Sequence, residues 1–258
     1  MRYVCLFILL LSSLNGEIFE FRSFKDLYSH LTLDTLLILD IDDTLLIPKQ
    51  MLGCDEWFMY RLNKRKVVGM HPSEALEKTL AEWEAVRHLT QMEIVEPDTE
   101  TIIQLLQTQG YCVFGLTTQG LALATRTIQQ LKEKNIDLSI TAPTQEDVYF
   151  SLNQMGVLYR KGVLFTAGRP KGEALFQLCK AIDRPIKRIV FVNDKAEHLA
   201  DIEKSAKERS IEFVGLRYAY SDARKAKFKS EIAEVQFNHS NFGEILSDEK
   251  AKAIFERP

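Results

Sequence analysis

The chain has 258 residues, 46% hydrophobic and 27% charged, an ordinary globular composition that suits one large domain or a core with a small insertion. Its formal net charge of -3 gives no global reason to expect nucleic acid as a partner. Two local basic runs, Arg61, Lys64, Arg65 and Lys66, then Arg224, Lys225, Lys227 and Lys229, read as solvated helix faces.

At the N-terminus Arg2 precedes an apolar run from Tyr3 to Leu11, followed by Ser12, Ser13, Asn15 and Gly16. A basic start, a short apolar stretch and a small residue at its end predict a secretory signal peptide over residues 1–16. The run is shorter than the roughly 20 residues that span a bilayer. Residues 17–258 are therefore expected to be exported, to a periplasm or the medium, with no stable membrane anchor. Cys5 would leave with the signal. Cys54, Cys112 and Cys179 then read as buried free thiols, with one bridge still open to them in an oxidising compartment.

Short apolar runs and helical stretches alternate along the rest of the chain. Leu36 to Asp40, Tyr111 to Thr117, Gly162 to Thr166, Arg188 to Val192 and Ile211 to Leu216 are each rich in branched or aromatic residues. Such runs predict strands buried on both faces, as in a parallel sheet. Thr101 to Gln109, Leu121 to Lys134, Gly172 to Ile182 and Ala196 to Lys207 carry helical periodicity, and Gly110 stops the first. The alternation predicts an α/β fold with a doubly wound, mostly parallel sheet. Residues 48–96 interrupt it with two helical stretches, around Trp57, Phe58 and Leu62 and from Ala75 to Leu89, and Pro72 and Ser73 start the second. An insertion directly after the first core strand is expected to sit over the strand ends as a small helical cap. Trp57 and Trp83 are expected in its core. The five histidines show no ligand spacing.

Ligands of doubly wound sheets bind beyond the carboxyl ends of the strands, so the polar residues that end the apolar runs matter most. The first run gives Asp40, Asp42 and Thr44, the second Thr117 and Thr118, the segment after the third Lys171, and the fourth Asn193 and Asp194. Three carboxylates, an ammonium and hydroxyls suit phosphoryl transfer, which needs positioning and neutralisation of spread negative charge. A carboxylate can attack phosphorus, and a second carboxyl can move the proton. Magnesium takes oxygen ligands and commonly only one or two carboxylates.

Leu-Asp-Ile-Asp-Asp-Thr-Leu-Leu at residues 39–46 resembles the first motif of the haloacid-dehalogenase-like superfamily. Thr117 resembles its second motif, Lys171 before a helix its third, and Asn193-Asp194 after Arg-Ile-Val-Phe-Val its fourth. The similarity spans roughly residues 34 to 217 and, with the predicted signal, is nearest to secreted bacterial acid phosphatases with a small cap. It implies a magnesium-dependent phosphomonoesterase acting on a small phosphorylated substrate. Asp40 would be the nucleophile and a metal ligand. Asp42 would be the general acid/base and bind metal through its main-chain carbonyl. Thr117 or Thr118, with Lys171, would hold the phosphoryl group, and Asp194 would complete the metal ligands. Asn193 departs from the two acids common in the fourth motif. A catalytically weak binding protein of the same fold, or a phosphotransferase, is the alternative.

Overall fold

A computed structural model describes residues 16–239 and 245–256. Except for Gly16, the predicted signal peptide lies outside the described residues. In chain order the elements are β1 (Glu17–Phe21), β2 (Thr35–Leu39), β3 (Leu46–Pro48), α1 (Asp55–Val67), α2 (Pro72–Leu89), β4 (Met92–Ile94), α3 (Thr99–Thr108) and β5 (Cys112–Thr117). Then come α4 (Ala124–Glu133), β6 (Val148–Leu152), β7 (Met155–Arg160), β8 (Val163–Phe165), α5 (Lys171–Ala181), β9 (Arg188–Asn193), α6 (Ala196–Lys207) and β10 (Glu212–Tyr218). Three more helices follow among the described residues: α7 (Asp222–Lys225), α8 (Ser230–His239) and α9 (Asp248–Phe255).

Eight strands form the main sheet in the order β1-β10-β9-β2-β5-β8-β7-β6. Neighbours from β1 to β8 are parallel, and β7 and β6 add an antiparallel hairpin. The five expected strands are β2, β5, β8, β9 and β10. Side chains alternate across the sheet: Leu37 and Leu39 of β2 join one core with Ile102, Ile103 and Leu131, while Leu36 and Ile38 join the other with Leu175, Leu178 and Ile202. Both faces are therefore covered by helices, which is why β2 is apolar throughout.

Between β2 and β5 the chain leaves the sheet. The ribbon β3–β4, with Leu46 opposite Ile94, ties off an excursion whose body is α1 and α2. These helices form a third core: Trp57, Trp83 and Val86 pack with Leu123 and with Ala233 and Ile245 from the C-terminal part. The basic run around Arg61 is a solvated face only in part: Lys64 and Lys66 are exposed, but the two arginines are not. Arg61 is ion-paired to Glu82 of α2 (2.9 Å) and Glu234 of α8 (3.0 Å), and Arg65 also meets Glu82. In the second run Lys225 is ion-paired to buried Asp194 at 2.8 Å, and Arg224 meets Glu93. Part of each run therefore faces acids from distant segments, while Lys66, Lys227 and Lys229 are exposed as expected. Cys54, Cys112 and Cys179 are free thiols.

Candidate functional site

β2 is central, with β9 on one side and β5 on the other. From β2 the chain runs outward through β5 and β8, then crosses back to β9 and β10. The sheet therefore switches direction between β2 and β9, the place where such sheets open a crevice. Register brings the sequence motifs together there: Leu39 lies opposite Val192, and the Asp40 amide donates to the Val192 carbonyl (3.0 Å).

Asp40 is buried, and Oδ1 accepts from the Ile41 amide at 2.9 Å. Lys171, at the start of α5 and 1% exposed, places Nζ 2.8 Å from the same oxygen. This contact is an ion pair by distance rather than an aligned hydrogen bond, and the ammonium also stands 5.3 Å from the Phe191 ring centroid. Burial pushes the Asp40 carboxyl up to about 6; Lys171 opposes the rise, and Asp194 and Asp42 add to it. Asp194 is raised by burial as well, against the pull of Lys225. Its Oδ2 meets Lys225, while Oδ1 is buried with no hydrogen-bond partner among the described residues.

Asp42 is held from both sides. Its Oδ1 accepts from Arg87 Nη2 of α2 (2.5 Å) and its Oδ2 from Gln119 Nε2 (2.8 Å). Gln119 is fixed in turn, because its Oε1 accepts from the Thr127 hydroxyl at 2.6 Å. Thr117 is 1% exposed, and its Oγ1 accepts from the Gln119 amide (3.1 Å), which leaves its O–H free to donate. Thr118 lines the cavity described next. Asn193 is engaged as a cap: its Oδ1 accepts from the Lys195 amide at 2.7 Å, just before α6. Asp43 sits at φ +58° and is buried among Asp55, Asp194 and Glu56, so burial and then those neighbours push its carboxyl well up.

Over the strand ends lies a cavity of about 180 Å³. Asp40, Asp42, Thr118, Gln119, Lys195 and His198 come from the sheet side, and Asp55, Phe58, Leu80, Trp83 and Glu84 from α1 and α2. Trp83 belongs both to the core of the insertion and to the cavity wall, and Arg87 stacks over its ring, with Cζ 5.0 Å from the centroid. Burial, then Lys171 and Lys195, push the His198 ring down to about 3, so it is neutral near pH 7. Burial alone would raise Asp55, but its ion pair with Lys195 holds it below its ordinary range. Arg87, Gln119, Lys195 and His198 were not singled out from the sequence. Arg87 lies inside an ordinary amphipathic pattern, and its partner is 45 residues away. Gln119 was findable: it directly follows Thr117 and Thr118 at a strand end.

Among the described residues no group of three or more His, Cys, Asp or Glu stands at metal-holding spacing. The donor set still fits a hard cation. Magnesium needs only one or two carboxylates. Asp194 stands close enough to Asp40 to push its carboxyl up, and Asp194 Oδ1 is an orphaned buried acceptor.

Residues 20–252 match DUF2608, described as a protein of unknown function. The chain belongs to the DUF2608 family. A relative in Chlamydia pneumoniae, provisionally named an outer membrane protein, is 27% identical over 230 residues, covering 85% of this chain and 83% of the relative. A Chlamydia muridarum protein with the same provisional name is 26% identical over 98% of this chain and 97% of its own length. An uncharacterised Rickettsia prowazekii protein is 23% identical over 87% and 84%. Two solved structures are distantly similar to this DUF2608 chain. One is provisionally named a β-phosphoglucomutase from Thermotoga maritima (TM-score 0.40, 11% identity, 74% of this chain and 98% of that one). The other is the class C acid phosphatase from Bacillus anthracis with tungstate bound (TM-score 0.33, 10% identity, 91% and 84%). At these scores neither carries an argument about activity.

Proposed function

We propose that this protein is a magnesium-dependent phosphomonoester hydrolase that works through an aspartyl phosphate on Asp40. One observation carries the reading: a buried carboxylate at the carboxyl end of the central strand lines a cavity and faces a buried lysine behind it at 2.8 Å, with Asp194 beside it. Asp40 Oδ attacks phosphorus, and the bond to the leaving oxygen breaks. Lys171 and the hydroxyl of Thr117 or Thr118 hold phosphoryl oxygens as their charge changes; removing a contact of this type costs about 10²–10³ in rate. Asp42 gives its proton to the leaving alkoxide and then takes one from the water that opens the aspartyl phosphate. Both Asp42 oxygens accept hydrogen bonds in this arrangement, so Arg87 or Gln119 must first release one. That oxygen must take up a proton from solvent before Asp42 can give one in the first turnover; the proton taken from water in the second step resets it. Asp40, Asp194 and the Asp42 main-chain carbonyl would hold magnesium, which when bound neutralises phosphoryl charge.

Hydrolysis of p-nitrophenyl phosphate tests the reading. Turnover with magnesium, lost in EDTA and in Asp40→Asn, is expected. No turnover with magnesium, manganese or cobalt between pH 5 and 8 overturns it. Export belongs to the same proposal: it is supported by the signal pattern of residues 1–16 and by the outer-membrane names of the chlamydial relatives.

A further inference from the structure

The carboxylates around the cavity differ in one respect. Asp40 faces Lys171, Asp42 faces Arg87, and Asp55 faces Lys195. Glu84, half-buried on α2, has no ion pair and no hydrogen bond among the described residues. Its carboxylate lies over the Gly120 backbone, where an added Cβ would come within 2.5 Å of Oε1. Of the four carboxylates that line the cavity, Glu84 is the one whose charge no cation of the described residues already meets. The wall beside it is apolar and aromatic: Phe58, Leu80 and Trp83, with the Phe58 and Trp83 rings 6.0 Å apart and edge-on at 74°. Aromatic rings beside a carboxylate are surroundings that favour an alkylammonium group, and since Arg87 already covers one side of Trp83, Phe58 is the freer ring. A volume of about 180 Å³ suits a small leaving group, since sites for drug-sized ligands run to about 300–1,000 Å³.

We infer that the substrate is the phosphomonoester of a small amino alcohol, with its ammonium group between Glu84 and the Phe58–Trp83 wall and its phosphoryl group on Asp40. The inference rests on the phosphohydrolase reading and adds the leaving group to it. In the step it describes, the Asp40 oxygen–phosphorus bond forms and the bond from phosphorus to the amino alcohol oxygen breaks. That oxygen takes the Asp42 proton, so the amino alcohol leaves neutral at oxygen and cationic at nitrogen. Water then releases inorganic phosphate from Asp40.

The test compares kcat/KM for phosphocholine, phosphoethanolamine, the uncharged phosphocholine isostere 3,3-dimethylbutyl phosphate, and p-nitrophenyl phosphate. At least one cationic substrate should exceed the isostere by about tenfold or more, the size of a charge-assisted contact. Glu84→Gln should cut that ratio severalfold. Turnover of p-nitrophenyl phosphate with the isostere as good as both cationic substrates overturns the inference and leaves the phosphohydrolase reading standing. If nothing is turned over, the hydrolase reading fails, and choline binding decides the cation site by tryptophan fluorescence. A response to choline well above that to 3,3-dimethylbutanol, reduced in Glu84→Gln, supports the site. Equal responses overturn it.

Discussion

Asp40 and Lys171 are partners, yet their removal should act in opposite directions on stability. A carboxyl raised to about 6 in the folded protein, against an ordinary 3.8, binds its proton more tightly folded than unfolded. Its charge therefore costs stability above about pH 6, and that cost is relieved as pH falls. Asp40→Asn should lose the turnover seen with magnesium, while its Tm at pH 7 without added metal holds or rises. Lys171→Met should lose both, because Asp40 would keep the Ile41 amide but no cation to offset Asp194 and Asp42. Equal Tm losses in the two variants would refute this account. His198 carries the reverse sign. Its ring is pushed down from 6.5 to about 3, so over that window the unfolded chain takes up a proton that the folded protein refuses. Stability is then lost as pH falls from about 6.5 towards 3. In His198→Gln the decline of Tm between pH 7 and 5 should be shallower than in the parent; parallel curves would count against a buried neutral imidazole.

The helix that carries Lys171 is placed by a neighbour with no chemistry of its own. Gly172 packs against α6 so closely that an added Cβ would stand 2.3 Å from Ser205 Oγ and 2.8 Å from the Asp201 carbonyl, while its amide donates to Asp201 Oδ2 at 3.0 Å. Gly172→Ala must push the start of α5 off α6. Overpacking of this kind costs about 1–3 kcal/mol, and Lys171 shifts with the helix. A lower urea midpoint together with at least a tenfold fall in kcat is expected, in line with the sensitivity of catalysis to displacements of about 1 Å; parent-like values of both would mean that α5 yields without moving Lys171. Elements of this class were legible in the sequence because burial on both faces writes a continuous apolar run, as in β2 and β9. The edge strands were not. Glu17 to Glu20 of β1 are exposed, and β6 alternates between half-buried and exposed residues, so neither gives such a run. The same limit hid Arg87. A helix pattern reports which face of α2 is apolar, not that a cation on it crosses to Asp42.

On the scale of the whole molecule, described segments before and after the four motifs close the fold. The α8 segment holds the insertion: the Trp57 indole N–H donates to Glu234 (3.3 Å), and the Leu52 amide donates to Gln236 (2.9 Å). This brace lies beyond the reach of the four motifs, which explains why the order Asp40, Thr117, Lys171, Asp194 and an insertion over the strand ends were legible while the C-terminal segment that holds the insertion was not. No helix among the described residues is long and apolar enough to cross a membrane. At the other end β1 pairs residue by residue with β10, from Glu17 opposite Val214 to Phe21 opposite Tyr218, and the Phe21 ring packs edge-on to Phe24 at 6.1 Å. A signal cut after Gly16 would keep that edge strand whole. A cut a few residues later would strip paired backbone and open the edge of β10 to other chains. Protein recovered from a periplasm or culture medium should therefore begin at or close to Glu17 on N-terminal sequencing, and it should match the Tm of recombinant residues 17–258. A mature form beginning beyond Phe21 would break the link between processing and the sheet edge, and full-length protein found only in the cytosol would remove export from the proposal.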